Sequence, residues 1–323
     1  MIIAEIGINH DGSFEKAVDM IVAAKQAGCE CVKFQCHIPE AEMLKTDIIP
    51  SNANETLWDM MTRCAFTVQE EILLKEFTER LGMIYLSTPF SREAVDRLDA
   101  MGVTMFKVGS GECNNYPLLK HIASKGKPVI LSTGMQNSDS IKKAVDILGN
   151  NLKAIMYCVS KYPTPYENID PTTISKLLLQ YGWKYDIGFS DHSLGIYSSL
   201  VAIYKGATII EKHFTLDRNW PGPDNKISIL PHELKMLIEG EKAIRSMGKS
   251  VPDESDVKEF AFHSVVSIKD IQRGSMLTRD NCWVKRPGGG IPASEYENLL
   301  GKRVLKDIKK DTQINHKDLV WKH

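Results

Sequence analysis

From residue 1 to about 245 the chain alternates short apolar, β-rich runs with longer stretches of helical periodicity. Eight runs predict strands: IIAEIG (2–7), CVKFQ (31–35), MIYLS (83–87), MFKVG (105–109), PVILS (128–132), AIMYC (154–158), DIGFS (186–190) and TIIEKHF (208–214). The gaps predict helices, as in FEKAVDMIVAAKQAG, where Gly28 supplies the C-terminal stop. Strands that alternate with helices build a parallel sheet, and eight such units predict an α/β (β/α)8 TIM barrel rather than a doubly wound open sheet. No glycine fingerprint for a dinucleotide is present, since GINHDG follows a strand without G-x-G-x-x-G.

One long connection breaks the rhythm. Residues 37–66 separate the second strand from its helix, and a connection of that length usually serves as a lid or binding loop. Near residue 247 the composition changes. Barrel 1–246 gives way to MGKSVPDESDVKEF, whose polar residues and Pro252 read as a linker over 247–260. Short strand-like runs, HSVVSI and NCWVKR, then define a small, mostly β module over 261–323.

Charge sharpens this division. The whole chain carries 40 Lys/Arg against 41 Asp/Glu, which points to neither nucleic acid nor an acidic membrane as partner. The block 261–323 carries 12 Lys/Arg against 7 Asp/Glu, a net +5, leaving −6 on the first 260 residues. No apolar run approaches the ~18 residues of a membrane helix. The start, MIIAEIGINHDG, lacks a basic n-region. Seven cysteines without a C-x-x-C pair read as reduced thiols in a cytoplasmic protein.

In a barrel, chemistry collects at the C-terminal ends of the strands. Those ends are polar here: Glu5, Asn9, His10; Lys33, Gln35, His37; Ser87, Thr88; Lys107, Ser110, Glu112; Ser132, Thr133; Ser160, Tyr162; Ser190, Asp191, His192; Glu211, His213. Singly, each has a bland reading as a cap or a satisfied core residue. Together they do not. Two lysines lie inside apolar strands, and a buried ammonium is costly unless it meets an anion. With the surrounding hydroxyls they suit an anionic, phosphorylated ligand. His192 and His213 end neighbouring strands, where two neutral imidazoles can share a divalent cation. Asp191, Glu112 and Asp224 stand by to orient ligands or hold water. Ligand type alone leaves zinc, manganese, iron or cobalt open.

The pieces AEIGINHDGS, VKFQCHI, STPFSREA, KVGSGECNNYPLL, LSTGM, YPTPYE, SDHSLG, EKHFTLDRNWPGPD and WVKRPGGG occur in one order from Ala4 to Gly290. In this the chain resembles the bacterial sialic acid synthases. The resemblance implies a barrel followed by an antifreeze-like (SAF) domain, in a domain-swapped homodimer. It implies condensation of phosphoenolpyruvate with an N-acetylated hexosamine, N-acetylmannosamine, to give N-acetylneuraminate and phosphate with C–O cleavage. It implies a divalent metal, Mn²⁺ with Mg²⁺ or Co²⁺ as alternatives, on His192 and His213. Matching positions assign Lys33, Thr88, Lys107, Ser110, Ser132 and Ser190 to phosphoenolpyruvate. Gln35, Asn52, Tyr162, Glu211, Asp224, Phe260 and Arg286 fall to the sugar, with Glu5, Glu112 and Arg286 as catalytic candidates. Arg286 is expected to reach the partner's site. Phe34 departs from the residue that relatives often carry, and leaves Lys33 and Gln35 in place. Legionaminic and pseudaminic acid synthases share the framework and use diacetamido hexoses. A Schiff-base aldolase with Lys33 or Lys107 as nucleophile and a non-enzymatic carbohydrate-binding protein are the rival readings.

Overall fold

The structure, a computed structural model, describes residues 1–50 and 53–321. In chain order the first unit comprises β1 (Ile2–Gly7), α1 (Phe14–Gln26), β2 (Cys31–Cys36), α2 (Pro39–Glu42), α3 (Leu57–Cys64), α4 (Val68–Arg80), β3 (Ile84–Pro89), α5 (Arg92–Ala100), β4 (Phe106–Val108), α6 (Tyr116–Ser124), β5 (Val129–Ser132), α7 (Ser138–Leu148), β6 (Leu152–Cys158), α8 (Thr172–Tyr181), β7 (Asp186–Asp191), α9 (Tyr197–Tyr204), β8 (Ile209–His213) and α10 (Pro231–Ser246). Side-chain caps punctuate the alternation. Ser13 accepts from the Lys16 amide and Ser91 from the Ala94 amide, while Thr67 and Glu70 make a capping box at α4.

All sheet pairings in this unit are parallel, in the order β3-β2-β1-β8-β7-β6-β5-β4, and β3 and β4 lie side by side to close the ring. The expected (β/α)8 barrel is therefore the observed one. Its strands are buried on both faces, which is why they read as apolar runs. Alternation along each strand then divides the residues. Ile2, Ala4, Ile6, Val32 and Phe34 join Ala17, Met20, Ile21 and other helix residues in the main core. Ile3, Cys31, Leu86, Ile130, Ala154, Met156 and Ile209 form a separate apolar cluster inside the ring. Two residues further along these strands stand Glu5, Lys33, Thr88, Ser132, Cys158 and Glu211, so the apolar layer carries a polar one. Phe34 belongs to the outer set, stacked 5.5 Å from Tyr85, on the side of β2 away from Lys33 and Gln35.

The second unit, Gly248–His323, holds α11 (Ser255–Ala261) and an antiparallel pair, β9 (Ser264–Ser267) with β10 (Cys282–Lys285). Its own core gathers Val265, Ile271, Leu277, Cys282, Ile291, Tyr296, Leu299, Val304, Ile308, Ile314 and Leu319. The expected linker thus ends in a helix. Its charged residues hid a pattern too short to register, as Phe260 is 62% exposed and α11 buries nothing. Among the described residues no helix is long and apolar enough to cross a membrane.

Candidate active site

The polar layer lines a cavity of about 320 Å³ at the C-terminal mouth of the barrel. Its walls bring together Glu5, Lys33, Gln35, Thr88, Lys107, Ser110, Ser132, Tyr162, Ser190, His192, Glu211 and His213 from all eight strands and the turns beyond them. Asp224 lies beside this group, its Oδ2 3.8 Å from His213 Nδ1. Glu112 sits half-buried on the turn after β4 and accepts from the Asn115 side chain at 2.6 Å. Asn52 lies outside the described residues, and Phe260 and Arg286 belong to the second unit. Sequence reasoning passed over Phe90, Met135 and Cys158, which also line the cavity. All three lie in STPFSREA, LSTGM and AIMYC, but polar strand ends give no signal for apolar lining residues.

Four charges meet at the cavity floor. Lys33 Nζ lies 2.9 Å from Glu5 Oε2 and 3.7 Å from Glu211 Oε1, and Lys107 Nζ lies 3.6 Å from Glu211 Oε2. All four side chains are buried. Their formal charges cancel, which is what lets them remain inside. Hydroxyls complete the lysine shells: Lys33 donates to Thr88 at 3.2 Å and Lys107 to Ser132 at 2.7 Å. Ser190 donates to Glu211 at 3.1 Å. Oε2 of Glu5 and of Glu211 are buried without a hydrogen-bond partner, so their compensation is ionic alone.

The four groups respond differently to this burial. Burial, reinforced by Glu211 and opposed by Lys33, pushes the Glu5 carboxyl up to about 7. Burial also disfavours the Glu211 carboxylate, yet Lys107 and Lys33 together hold it below its ordinary value. Lys107 is lowered by burial, while Glu211 and Glu5 outweigh burial at Lys33 and raise it. Glu5 is thus the carboxyl nearest to exchanging a proton at neutral pH.

Gln35 links this floor to the long connection. Its amide donates to Glu5 Oε1 at 3.1 Å, and its Oε1 is 2.9 Å from His37 Nε2. The other ring nitrogen of His37 lies 2.8 Å from Glu42 on α2, and the ring stacks 4.6 Å from Phe90. Gly7, at φ +55°, leaves room for the Glu5–Gln35 contact; a Cβ there would stand 3.1 Å from Glu5 Oε1 and 3.2 Å from Gln35 Nε2.

The two histidines face each other across the mouth, 5.6 Å between ring centroids, and Tyr162 covers both at 4.1 and 5.9 Å. Nδ1 of His192 lies 2.8 Å from the Val159 carbonyl and so carries the hydrogen, leaving Nε2 its lone pair. Nδ1 of His213 is buried without a hydrogen-bond partner. Burial, with His192 adjacent, pushes His213 well below its ordinary pKa, so it is a neutral imidazole. At His192 burial opposes the cation, but the Cys158 thiol and Val159 carbonyl outweigh it and raise the value. The pair fits a divalent cation: the free Nε2 lone pair of His192 beside His213, a neutral imidazole whose Nδ1 is buried without a hydrogen-bond partner. Among the described residues no group of three His, Cys, Asp or Glu is arranged to hold a metal, so a cation between His192 and His213 would have two protein ligands and its other positions open to water or substrate oxygens.

Known proteins place this arrangement in a family. Residues 20–252 match the NeuB family and residues 262–320 the SAF domain. The N,N'-diacetyllegionaminic acid synthase of Campylobacter jejuni is 36% identical over 330 residues, covering 97% of this chain and 98% of that protein. The human N-acetylneuraminate-9-phosphate synthase is 33% identical over 326 residues, covering 97% and 90%. Among solved structures, the N-acetylneuraminic acid synthetase of Leptospira borgpetersenii, determined in complex with citrate, superposes with a TM-score of 0.70 at 33% identity, covering 80% of this chain and 89% of that one. With its barrel matched over most of its length and the small domain matched in turn, this chain belongs to the NeuB family.

Proposed function

We propose that this chain condenses phosphoenolpyruvate with the open-chain form of an N-acetylated hexosamine, adding water and releasing phosphate, to make a sialic-acid-type sugar acid. The observation that carries the reading is the pair of buried lysines, Lys33 and Lys107, at the floor of a cavity rimmed by Thr88, Ser110, Ser132 and Ser190. Such a floor is matched to an anion with several oxygens, and family membership supplies the reaction class.

In this reading Lys33 and Lys107 take the carboxylate and phosphate charges of phosphoenolpyruvate, and the four hydroxyls fix its orientation. Glu5 and Glu211 then lose their partners to the ligand. Glu5 and Glu211 stand side by side on the paired strands β1 and β8, both within reach of Lys33 Nζ, and in this reading the two carboxylates face the carbon of phosphoenolpyruvate where positive charge develops during C–C bond formation. Glu5, already close to neutral-pH exchange, handles the proton of the incoming water. Glu112 is the alternative for that proton. Gln35, Tyr162 and Asp224 bind the acceptor. Held between His192 and His213, a divalent cation, Mn²⁺ with Mg²⁺ or Co²⁺ as alternatives, would act as a Lewis acid toward the acceptor's carbonyl oxygen. Arg286 acts in the same reading from the SAF domain of a second copy in a homodimer, with Phe260 at the end of the linker and Asn52 on the long connection as further sugar-site residues.

N-acetylmannosamine is one acceptor of this reading. A 2,4-diacetamido hexose is the second, supported by the full-length similarity to the Campylobacter legionaminic acid synthase. Phosphate release should be assayed with phosphoenolpyruvate, Mn²⁺ and each acceptor in turn. Label placed at the bridging oxygen of phosphoenolpyruvate should leave in phosphate. Turnover with neither sugar, or trapping of a borohydride-stable pyruvate adduct on Lys33 or Lys107, would overturn the reading in favour of an aldolase or a binding protein.

A further inference from the structure

One buried ion pair takes no part in the reaction proposed above. Asp191 ends β7, Lys212 is the penultimate residue of β8, and the two are register partners. Lys212 Nζ lies 3.2 Å from Asp191 Oδ2, and neither side chain exposes any surface. Oδ1 of Asp191 accepts from the amide and hydroxyl of Ser193 at 2.8 and 2.7 Å. Oδ2 accepts from the hydroxyls of Ser198 and Ser199 at 2.6 Å each. Lys212 also donates to the Ser193 carbonyl. The carboxylate is saturated, with four hydrogen bonds and an ammonium.

The pair forms the middle of three rungs between β7 and β8. Before it, Ser190 meets Glu211; after it, His192 faces His213. Period-two alternation sends the first and third rungs into the cavity, which both line, and the middle rung to the opposite side. His192 lies just beyond the last ladder pair, so the sheet no longer fixes it. Its backbone carbonyl accepts from the Thr164 amide at 2.9 Å. The residues on either side of it, Asp191 and Ser193, are tied to each other and to Lys212.

A purely local role, tethering the start of α9, accounts for Ser198 and Ser199. It does not account for Lys212, whose burial is costly and which an apolar side chain could replace at lower cost. We infer that the Asp191–Lys212 pair is a positioning device. It locks the ends of β7 and β8 to each other so that His192 and His213 present their imidazoles to one point. The inference rests on the reading of those histidines as a cation site.

The test titrates Mn²⁺ into the full-length protein and follows the paramagnetic resonance of free Mn²⁺, with chemical denaturation in parallel. Asp191→Asn keeps the shape and removes the charge. Its Mn²⁺ affinity should fall about 10- to 100-fold, the usual effect of losing a partner that orients a metal ligand. Lys212→Arg, which keeps the cation, should stay near wild type. If Asp191→Asn does not fold, Ser198→Ala with Ser199→Ala removes two hydrogen bonds to Oδ2 without stripping a buried charge, and should weaken Mn²⁺ in the same direction. Loss of stability with unchanged Mn²⁺ affinity would overturn the positioning role and leave the cation site standing. A wild-type protein that binds no Mn²⁺ would instead overturn the cation site, and this inference with it.

Discussion

Lys33 holds its ammonium 2.9 Å from the Glu5 carboxylate, with 5% and 2% of the two side chains in contact with solvent. A pair this deep is strongly interdependent. Lys33→Met would leave Glu5 and Glu211 with Lys107 as their one cation in the cluster, at a cost of roughly 3–5 kcal/mol in unfolding free energy. Glu5→Gln combined with Lys33→Met should recover most of that loss. If phosphoenolpyruvate binds at Lys33 it should raise the melting temperature of the wild type and of neither variant, because a ligand stabilises only through its affinity for the folded state. A double variant that still responded to phosphoenolpyruvate would remove Lys33 from the anion site.

Glu5 also sets a pH dependence. Its folded carboxyl is raised to about 7 from an ordinary 4.5, by burial first and the Glu211 charge after. Between those values the folded state binds the proton more readily than the unfolded state. This contribution to stability is therefore full below about 4.5 and is lost as pH rises through about 7. Glu5→Gln cannot titrate. Unfolding free energies of wild type and variant should agree at the acid end and diverge toward neutral pH, with the wild type the less stable. Parallel curves across that window would mean that Glu5 ionises in the fold as it does in water.

The Glu42–His37–Gln35 chain fixes the amide that meets Glu5. His37→Phe preserves the stack on Phe90, 4.6 Å away, and deletes both polar contacts. Losing one hydrogen bond of about 1–1.5 kcal/mol corresponds to roughly tenfold in binding. The KM for the acceptor sugar should rise by about that factor while the KM for phosphoenolpyruvate holds. Equal changes in both would place Gln35 outside the acceptor's reach.

Much of this architecture is legible before any coordinates. Strands buried on both faces leave unbroken apolar runs, so the eight units declare themselves. A lysine inside such a run betrays a buried anionic partner, and at Lys33 and Lys107 that partner belongs to the polar layer of the interior, whereas at Lys212 it is Asp191 on the outer side. What alternation alone did not assign is the side of the strand. Asp191 and His192 are adjacent in sequence and equally polar, yet one faces the helices and the other the cavity. His37 and Glu42 are five residues apart, and their contact depends on a short helix that the long connection concealed. Helix α11 escaped notice because it has no buried face to impose a period.

Gly134 offers the sharpest test of how tightly the cavity wall is built. A Cβ at this position would stand 2.4 Å from Ser160 Oγ, 2.8 Å from Ser110 Oγ and 3.0 Å from Cys158 Sγ. The Gly134 amide donates to Ser110 Oγ at 3.0 Å, so the missing side chain is what allows that hydroxyl to approach. Gly134→Ala forces Ser110 and Ser160 to new rotamers, a local rearrangement at the cavity edge rather than in the apolar layer below. Gly134 is itself buried, so the added methyl overpacks the wall, and unfolding free energy should fall by about 1–3 kcal/mol while the protein stays folded. Affinity for phosphoenolpyruvate should fall at least tenfold, because displacing Ser110 removes a hydroxyl from the anion and brings a methyl group toward it. Calorimetric titration of phosphoenolpyruvate into the variant measures this directly. Wild-type affinity in Gly134→Ala would show that the anion does not rest against the Ser110–Gly134 turn, and would move the phosphate end of the site toward Lys33 and Thr88.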